Sequence, residues 1–214
     1  MVENGVLYGY FRSSASYRVR IALNLKGIAV EHRFVHLRKG QQRAEEFRRR
    51  NPSGMVPFWT ELGFGLSQSL AIIEYLDELH PDPRLLPGSA RDRAIIRELA
   101  LTIAADIHPV GNLRVLDKLT EVYGADEAAR AAWARQWIEP GFEAIEKRLA
   151  TTPGQFCYGD APTLADCCLV PQMFNARRFG VDLTRYPLMA RTDAALNEIE
   201  AFRRALPSLQ PDAE

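Results

Sequence analysis

Residues 6–26 read VLYGYFRSSASYRVRIALNLK and place a short β-like run directly before a helical pattern. Residues 6–10 predict a strand. Residues 16–26 then carry apolar side chains along one helical face, and Gly27 follows where a helix is expected to stop. A strand that turns through serines into a helix is typical of a sheet flanked by helices.

The same alternation continues to about residue 86. Further strands are predicted over residues 29–36, 55–60 and 64–66. Further helices are predicted over residues 41–50 and 67–79. Residues 1–86 therefore form a predicted α/β domain.

Beyond Pro87 and Gly88 the pattern becomes entirely helical. Helices are predicted over residues 91–123 with a kink at Pro109, over 125–150, from Thr163 onward and over 187–205. Thr163 and Asp166 have the spacing of a capping box. Candidate core residues of the second helix are Trp133, Trp137, Phe142, Ile145 and Leu149. Residues 91–214 are thus predicted to form an all-α domain.

Composition argues against several classes of protein. The 214 residues include 27 Lys plus Arg and 27 Asp plus Glu, so the net charge of zero provides no field for holding nucleic acid. No apolar run is long enough for a membrane span or a secretion signal, which favours a cytoplasmic protein. The cysteines, expected to be reduced and structural, are Cys157, Cys167 and Cys168.

Two stretches carry a resemblance to a known family. Residues 10–23, YFRSSASYRVRIAL, and residues 68–76, QSLAIIEYL, resemble the zeta class of glutathione transferases. Shorter stretches agree with it at Asn51-Pro52, Val56-Pro57, residues 85–87, 106–109, 159–172 and 175–179. The resemblance implies a thioredoxin-like N-terminal domain, an all-helical C-terminal domain, a homodimer and glutathione as cofactor.

One position departs from the family pattern. Members with Ser-Ser-Cys carry a thiol beside the glutathione sulfur, and this chain has Ala15 there. Glutathione itself must then supply the nucleophile at this site.

Ser13 and Ser14 lie where the first strand turns into the first helix. A helix N-terminus offers unpaired amides and partial positive charge, so hydroxyls there could hold a glutathione thiolate, with Arg12 and Arg18 adding charge nearby. The alternative is that the serines only cap the helix.

Other glutathione contacts rest mainly on the resemblance. It implies a cis Val56-Pro57 bond that presents the Val56 backbone to the cysteinyl part, although a trans edge proline is the plainer alternative. Gln68 and Ser69 open a helix suited to the γ-glutamyl carboxylate or to simple capping. Gln42 is expected at the other end of the tripeptide.

The helix around Pro109 supplies the remaining candidates. The resemblance makes His108 and Asn112 contacts for glutathione or substrate, although a lone helical histidine is more often structural. Arginine forks suit dicarboxylate substrates, and the candidates are Arg12, Arg114 and Arg178, each of which could instead be a solvated surface residue. Arg177 could replace Arg178 if the helix is rotated.

The resemblance implies glutathione-dependent cis-trans isomerisation of maleylacetoacetate, as in phenylalanine and tyrosine breakdown. Maleylpyruvate, the corresponding substrate in gentisate breakdown, carries the same maleyl group and is the alternative. General glutathione conjugation and a binding protein without turnover are further alternatives, and the retained Ser13, Ser14, Gln68 and Ser69 disfavour the last.

Overall fold

The computed structural model describes residues 5–214. Contacts within the chain divide it into two compact units: unit 1 contains the residues up to Leu85 together with Ile199–Glu214, and unit 2 contains Leu86–Glu198. The predicted domains, 1–86 and 91–214, place the final segment differently. Ile199–Glu214 lies in unit 1 because it packs against the first helix there.

Unit 1 contains a four-stranded mixed sheet. Its strands are β1 (Val6–Gly9), β2 (Glu31–Phe34), β3 (Phe58–Glu61) and β4 (Phe64–Ser67). The strand order is β2-β1-β3-β4, with β1 parallel to β2 and antiparallel to β3, and β3 antiparallel to β4. All four predicted strands are present at slightly different bounds, so the predicted α/β class is confirmed.

The helices of unit 1 are α1 (Ser14–Leu25), α2 (Glu45–Arg50), α3 (Ser69–Leu79) and α9 (Glu200–Arg204). The single helix predicted over 41–50 is wrong in its first half. Gly40 adopts a left-handed φ of 73° and Ala44 is extended, so two 3-10 turns, Leu37–Lys39 and Gln41–Arg43, precede α2. Backbone conformation at these two residues therefore interrupts an otherwise helix-prone sequence.

Two apolar clusters hold unit 1 together. One contains Tyr8, Val35, Phe47 and Phe58, which join the sheet to α2. The other forms where α1 packs on α3, and its side chains are at most 2% exposed. Its members are Val19, Ile21, Ala22, Leu23, Ile72, Ile73 and Leu76. This packing fixes the N-terminal ends of α1 and α3 on one scaffold.

Unit 2 is all helical in the part of the chain described. Its α-helices are α4 (Ala90–Leu101), α5 (Leu113–Tyr123), α6 (Glu127–Leu149), α7 (Leu164–Arg178) and α8 (Pro187–Asn197). The capping box at Thr163 is confirmed: the Asp166 carboxylate accepts from the Thr163 amide at 2.7 Å. The last helix predicted over 187–205 is divided at Ile199, which is extended, into α8 and α9.

The kinked helix predicted over 91–123 is also wrong, because the structure breaks it. A π-helical segment, Thr102–Ile107, follows α4, a 3-10 turn begins at Pro109, and α5 starts anew after Asn112. Close packing accompanies the break: a Cβ on Gly141 of α6 would lie 2.4 Å from Ile107 Cδ1. The proline that cannot continue the helix therefore begins a separate turn.

The predicted core of α6 is confirmed in part. Phe142, Ile145 and Leu149 are buried, whereas Trp137 is 41% exposed. Trp133 is half-buried and donates its indole N–H to the Val110 carbonyl at 2.8 Å. Among residues 5–214, no helix combines the length and apolar character that crossing a membrane requires.

Candidate functional site

The N-terminus of α1 carries the two serines. Ser13 is the N-cap, and its hydroxyl oxygen accepts from the Ser16 amide at 3.1 Å. Ser14 is the first helical residue and is buried. The first turn of α1 holds no acidic residue, so nothing in it opposes an anion. Ser13 therefore caps the helix, and its hydroxyl hydrogen can still be donated to a ligand.

The N-terminus of α3 lacks a side-chain cap. Gln68, its N-cap residue, has a left-handed φ of 75° and makes no capping hydrogen bond, and Ser69 behind it is buried. The first amides of a helix have no intrahelical partner, so an uncapped N-terminus suits a carboxylate. The first turn of α3 is also free of acidic residues.

Arg18 links these two helices. It is 2% exposed, and its Nη1 donates to Ser69 Oγ at 3.2 Å. The hydroxyl that opens α3 is therefore oriented by a guanidinium from α1. Sequence reasoning assigned Arg18 only a nearby charge, and the RVR segment gave no sign that its side chain turns inward.

The Val56-Pro57 peptide bond is cis, as the resemblance implies. Within the described chain, the Val56 amide and carbonyl have no backbone hydrogen-bond partner. A backbone amide and carbonyl without such partners can pair with the backbone of an extended peptide. The Val56 backbone is thus without a partner that would block the predicted pairing with the cysteinyl part of glutathione.

A buried asparagine connects Val56 to the start of α3. Asn51 is 2% exposed, and its Nδ2 donates to the Met55 carbonyl at 2.7 Å. Its Oδ1 accepts from Ser67 Oγ at 3.0 Å and from Ser53 Oγ at 2.8 Å. Met55 precedes Val56 and Ser67 precedes Gln68, so one side chain holds both segments. Sequence reasoning noted the Asn51-Pro52 pair only as part of the resemblance.

Gln42 lies in the 3-10 turn Gln41–Arg43. Its Oε1 is buried and has no hydrogen-bond partner among residues 5–214. Arg12 is half-buried and makes no ion pair in the same part of the chain. An orphaned amide oxygen, an uncapped helix and a free backbone edge, all in unit 1, fit a peptide-like anionic ligand such as glutathione.

Unit 2 carries the remaining predicted residues. His108 follows the π-helical segment, is half-buried and donates its amide to the Ile103 carbonyl at 2.9 Å. Asn112 is the N-cap of α5 but makes no capping bond, and its buried Oδ1 has no partner within the described residues. Arg114 is exposed on the first turn of α5.

Two neighbouring arginines end α7 and differ in their surroundings. Arg177 forms an ion pair with Asp193, whose side chain is 2% exposed. Burial raises the pKa of Asp193, and the Arg177 guanidinium opposes that shift. Arg178 is exposed and its guanidinium lies 4.4 Å from the centre of the Phe179 ring. Arg177 is therefore held by Asp193 within unit 2, and the choice of Arg178 as a substrate contact stays a prediction.

Comparison with known proteins identifies the family. Residues 7–84 match the family described as glutathione S-transferase, N-terminal domain, and residues 126–209 match glutathione S-transferase, C-terminal domain. A probable maleylacetoacetate isomerase of Vibrio cholerae is 49% identical over 210 residues, which cover 97% of this chain and 98% of that protein. The holo structure of a maleylpyruvate isomerase, described as a bacterial zeta-class glutathione S-transferase, is 50% identical with a TM-score of 0.95, covering 98% of this chain and 100% of that one. The chain belongs to the zeta class of the glutathione transferases.

A further solved structure is similar to this zeta-class chain. The maleylacetoacetate isomerase of Methylobacterium extorquens AM1 with bound malonate and glutathione is 39% identical with a TM-score of 0.92, covering 98% of this chain and 99% of that one. The predicted resemblance to the zeta class is confirmed.

The three cysteines of this zeta-class protein lie far along the chain from Ser13 and Ser14. Cys157, Cys167 and Cys168 all belong to unit 2, and each is reduced and buried. Burial raises the pKa of the Cys157 thiol well above its ordinary value, and the Asp166 charge acts in the same direction. A buried thiol with a raised pKa is a poor nucleophile.

Proposed function

We propose that this protein catalyses the glutathione-dependent cis-trans isomerisation of maleylacetoacetate to fumarylacetoacetate. One observation carries the proposal: Arg18 joins the serine-bearing N-terminus of α1 to the uncapped N-terminus of α3. One helix end suits a thiolate and the other a carboxylate, which are the two anionic groups that a single bound glutathione would present there.

Glutathione, when bound, supplies the thiolate that adds to the cis double bond and leaves once that bond has rotated. Ser14 and Ser13 donate hydroxyl hydrogen bonds to the sulfur, and the first amides of α1 add partial positive charge, so the thiolate is favoured over the thiol. Ser69 and the first amides of α3 hold the γ-glutamyl carboxylate. Val56 pairs with the cysteinyl backbone, and Gln42 contacts the glycyl end.

Arginines are proposed to bind the substrate carboxylates. The arginines assigned to this role are Arg12 in unit 1, which is half-buried, and Arg114 and Arg178 in unit 2, which are exposed. A fork of N–H donors fixes a carboxylate bidentately and stabilises negative charge that develops on a neighbouring carbonyl. In this proposal Arg12 also stabilises the enolate, and His108 and Asn112 contact glutathione or substrate.

Maleylpyruvate is the second candidate substrate, because it presents the same maleyl group with a different tail, and the zeta-class relative with a TM-score of 0.95 is a maleylpyruvate isomerase. General conjugation to glutathione is a third possibility that the same thiolate site supports. The proposal places the enzyme in phenylalanine and tyrosine breakdown, or in gentisate breakdown if maleylpyruvate is preferred.

A homodimer in the cytoplasm is part of the same proposal. Leu62 is 79% exposed and Phe64 on the edge strand β4 is 45% exposed, an apolar surface that a second copy could cover. The three cysteines are reduced, which is compatible with a reducing compartment. Light scattering after gel filtration should give twice the chain mass of 24.1 kDa.

The substrate assignment is tested by measuring kcat/KM for maleylacetoacetate and maleylpyruvate at saturating glutathione. Proton NMR spectra of the reaction mixture distinguish the vinyl signals of the cis and trans isomers. A higher value for maleylacetoacetate supports the assignment. A higher value for maleylpyruvate transfers it to the second candidate, and conjugating activity without isomerisation of either transfers it to the third.

A further inference from the structure

The loop that precedes the serines is held by the far end of the chain. The Phe11 amide donates to Asp212 Oδ2 at 2.9 Å, a contact that spans 201 positions of sequence. Phe11 is buried and lies two residues before Ser13. The backbone that leads into the N-terminus of α1 is therefore anchored by a side chain of the C-terminal segment, and both belong to unit 1.

A buried arginine holds the opposite side of the same loop. Arg20 is 5% exposed, and its Nη2 donates to the Phe11 carbonyl at 3.1 Å while its Nη1 donates to the Tyr10 carbonyl at 3.4 Å. Its Nε and Nη2 also donate to the Ala205 carbonyl at 3.2 and 3.1 Å. Burial lowers the pKa of the Arg20 guanidinium to about 10, and the nearby charges of Tyr17 and Asp212 act against this shift.

These contacts restrain the turn that places Ser13. The Ser13 amide donates to the Tyr10 carbonyl at 3.0 Å, which closes the turn from Tyr10 to Ser13. Inside that turn the Phe11 carbonyl is held by Arg20 and the Phe11 amide by Asp212. Only the bond to Asp212 fixes the Phe11 amide among the hydrogen bonds of residues 5–214.

The C-terminal segment has attachments that do not involve Asp212. Arg20 holds Ala205, and Asn24 Nδ2 donates to the Ala201 carbonyl at 2.9 Å. Loss of the Asp212 carboxylate should therefore leave the segment in place and release the Phe11 amide; the negative charge that it removes near Arg20 is removed equally when asparagine replaces Asp212. The bond between Asp212 and the Phe11 amide is thus not needed to dock the segment, yet it restrains the loop that leads to Ser13. This combination points to a role in the site that carries Ser13 and Ser14.

We propose that Asp212 is a positioning residue for the glutathione thiolate. It acts through the Phe11 amide, which it holds so that the Ser13 and Ser14 hydroxyls are aimed at the sulfur. The inference rests on the proposed function and deepens it, because it assigns part of the geometry of the thiolate site to the C-terminal segment. Since the bond crosses the whole sequence, no local pattern in residues 10–14 could reveal it.

The test compares Asp212→Ala with Asp212→Asn. Alanine removes the acceptor, whereas the asparagine side chain retains an oxygen that can accept from the Phe11 amide. Asp126→Ala is the matched control, because Asp126 also accepts a backbone amide, that of Ala129 at 2.8 Å, but does so in unit 2. Hydrogen exchange of the ligand-free proteins and ultraviolet titration of the thiol in the glutathione complexes are measured for all four proteins.

In Asp212→Ala we expect exchange at the Phe11 amide to accelerate about tenfold, because a hydrogen bond to a charged acceptor is lost. The pKa of the bound thiol should rise by about one unit, because the donors around the sulfur are less well aligned. Asp212→Asn should restore both values toward those of the wild type, and Asp126→Ala should leave both unchanged.

Unchanged exchange at Phe11 in Asp212→Ala, or accelerated exchange with an unchanged thiol pKa, would overturn the positioning role. An equal rise of the thiol pKa in Asp126→Ala would also overturn it, since the effect would then follow general destabilisation. If the wild-type protein leaves the pKa of the glutathione thiol at its value in water, the proposed function fails and the positioning role fails with it.

Discussion

Asn51 offers a test of how unit 1 aligns the residues that are proposed to contact glutathione. Its side chain makes four hydrogen bonds: Nδ2 donates to the Met55 carbonyl, and Oδ1 accepts from the Ser53 amide, Ser53 Oγ and Ser67 Oγ. Ser53 is exposed and can exchange its two bonds for water, whereas Met55 and Ser67 are half-buried. Asn51→Ala therefore loses two bonds that water replaces poorly.

The expected cost follows from those two bonds. At about 1 kcal/mol for each, with some penalty for the unpaired Met55 carbonyl, Asn51→Ala should destabilise the protein by about 2 to 3 kcal/mol. The same change frees the residues before Val56 and before Gln68, so the dissociation constant for glutathione should rise about tenfold, which corresponds to about 1.4 kcal/mol.

A second substitution separates the effect on the Val56 segment from the effect on the Gln68 segment. Asn51→Asp keeps the oxygen that accepts from Ser67 but places another oxygen against the Met55 carbonyl, where Nδ2 donates at 2.7 Å. It should therefore perturb the Val56 side alone. Ser53→Ala removes one hydroxyl that reaches neither segment and should change affinity little. Asn197→Ala, which removes an asparagine bonded to Asp193 in unit 2, serves as the stability control.

Thermal unfolding at fixed protein concentration and calorimetric titration with glutathione measure the two effects on the same preparations. Asn51→Ala is expected to lose both stability and affinity for glutathione, whereas Asn197→Ala is expected to lose stability only. If Asn51→Ala is destabilised as predicted yet binds glutathione as the wild type does, the asparagine is purely structural and the argument for alignment is refuted.

Three further predictions concern the chemistry. Ser14→Ala should raise the pKa of bound glutathione by roughly one to two units, because one hydrogen bond to the thiolate is lost; ultraviolet titration measures this, and a constant pKa in both Ser14→Ala and Ser13→Ala would leave the backbone amides as the only donors. Lysine in place of each arginine that is predicted to bind a substrate carboxylate should lower kcat/KM for the maleyl substrate about tenfold, with little change in the affinity for glutathione. Arg177→Lys should act mainly on stability. Equal losses for substrate and glutathione would contradict carboxylate binding. The three sites are Arg12, Arg114 and Arg178. A variant with every cysteine changed to serine should, when folded by circular dichroism, retain glutathione-dependent turnover, because the thiols are buried and the position after Ser14 is Ala15; loss of turnover in the folded variant would implicate a protein thiol.

Local features of the sequence predicted much of the fold. The serines before α1, the capping box at Thr163 and the strand alternation each depend on residues a few positions apart, so they can be read without tertiary information. Pro109 was predicted as an interruption, but whether a proline kinks a helix or ends it depends on the packing around it. The interruption by Gly40 and Ala44 was not predicted.

The groups that organise the site could not be predicted in the same way. α1 is buried at every position from Ser16 to Leu23, so its periodicity does not separate an inner from an outer face. From the sequence, Arg18 was therefore assigned only a nearby charge and Arg20 no role, although both are buried. Asn51 and Asp212 act through partners that tertiary structure brings to them. The exposure of Trp137 could not be predicted for the same reason, because the sequence does not show which residues pack against a given face of a helix.

The central claim is that this zeta-class protein isomerises a maleyl substrate with glutathione as the only nucleophile. Proton spectra of maleylacetoacetate can be followed with the purified protein alone, with glutathione and with S-methylglutathione, which lacks the thiol. We predict conversion of the cis to the trans isomer with glutathione only, with the glutathione concentration unchanged at the end. Conversion without glutathione or with S-methylglutathione, or consumption of glutathione in proportion to product, would contradict the account.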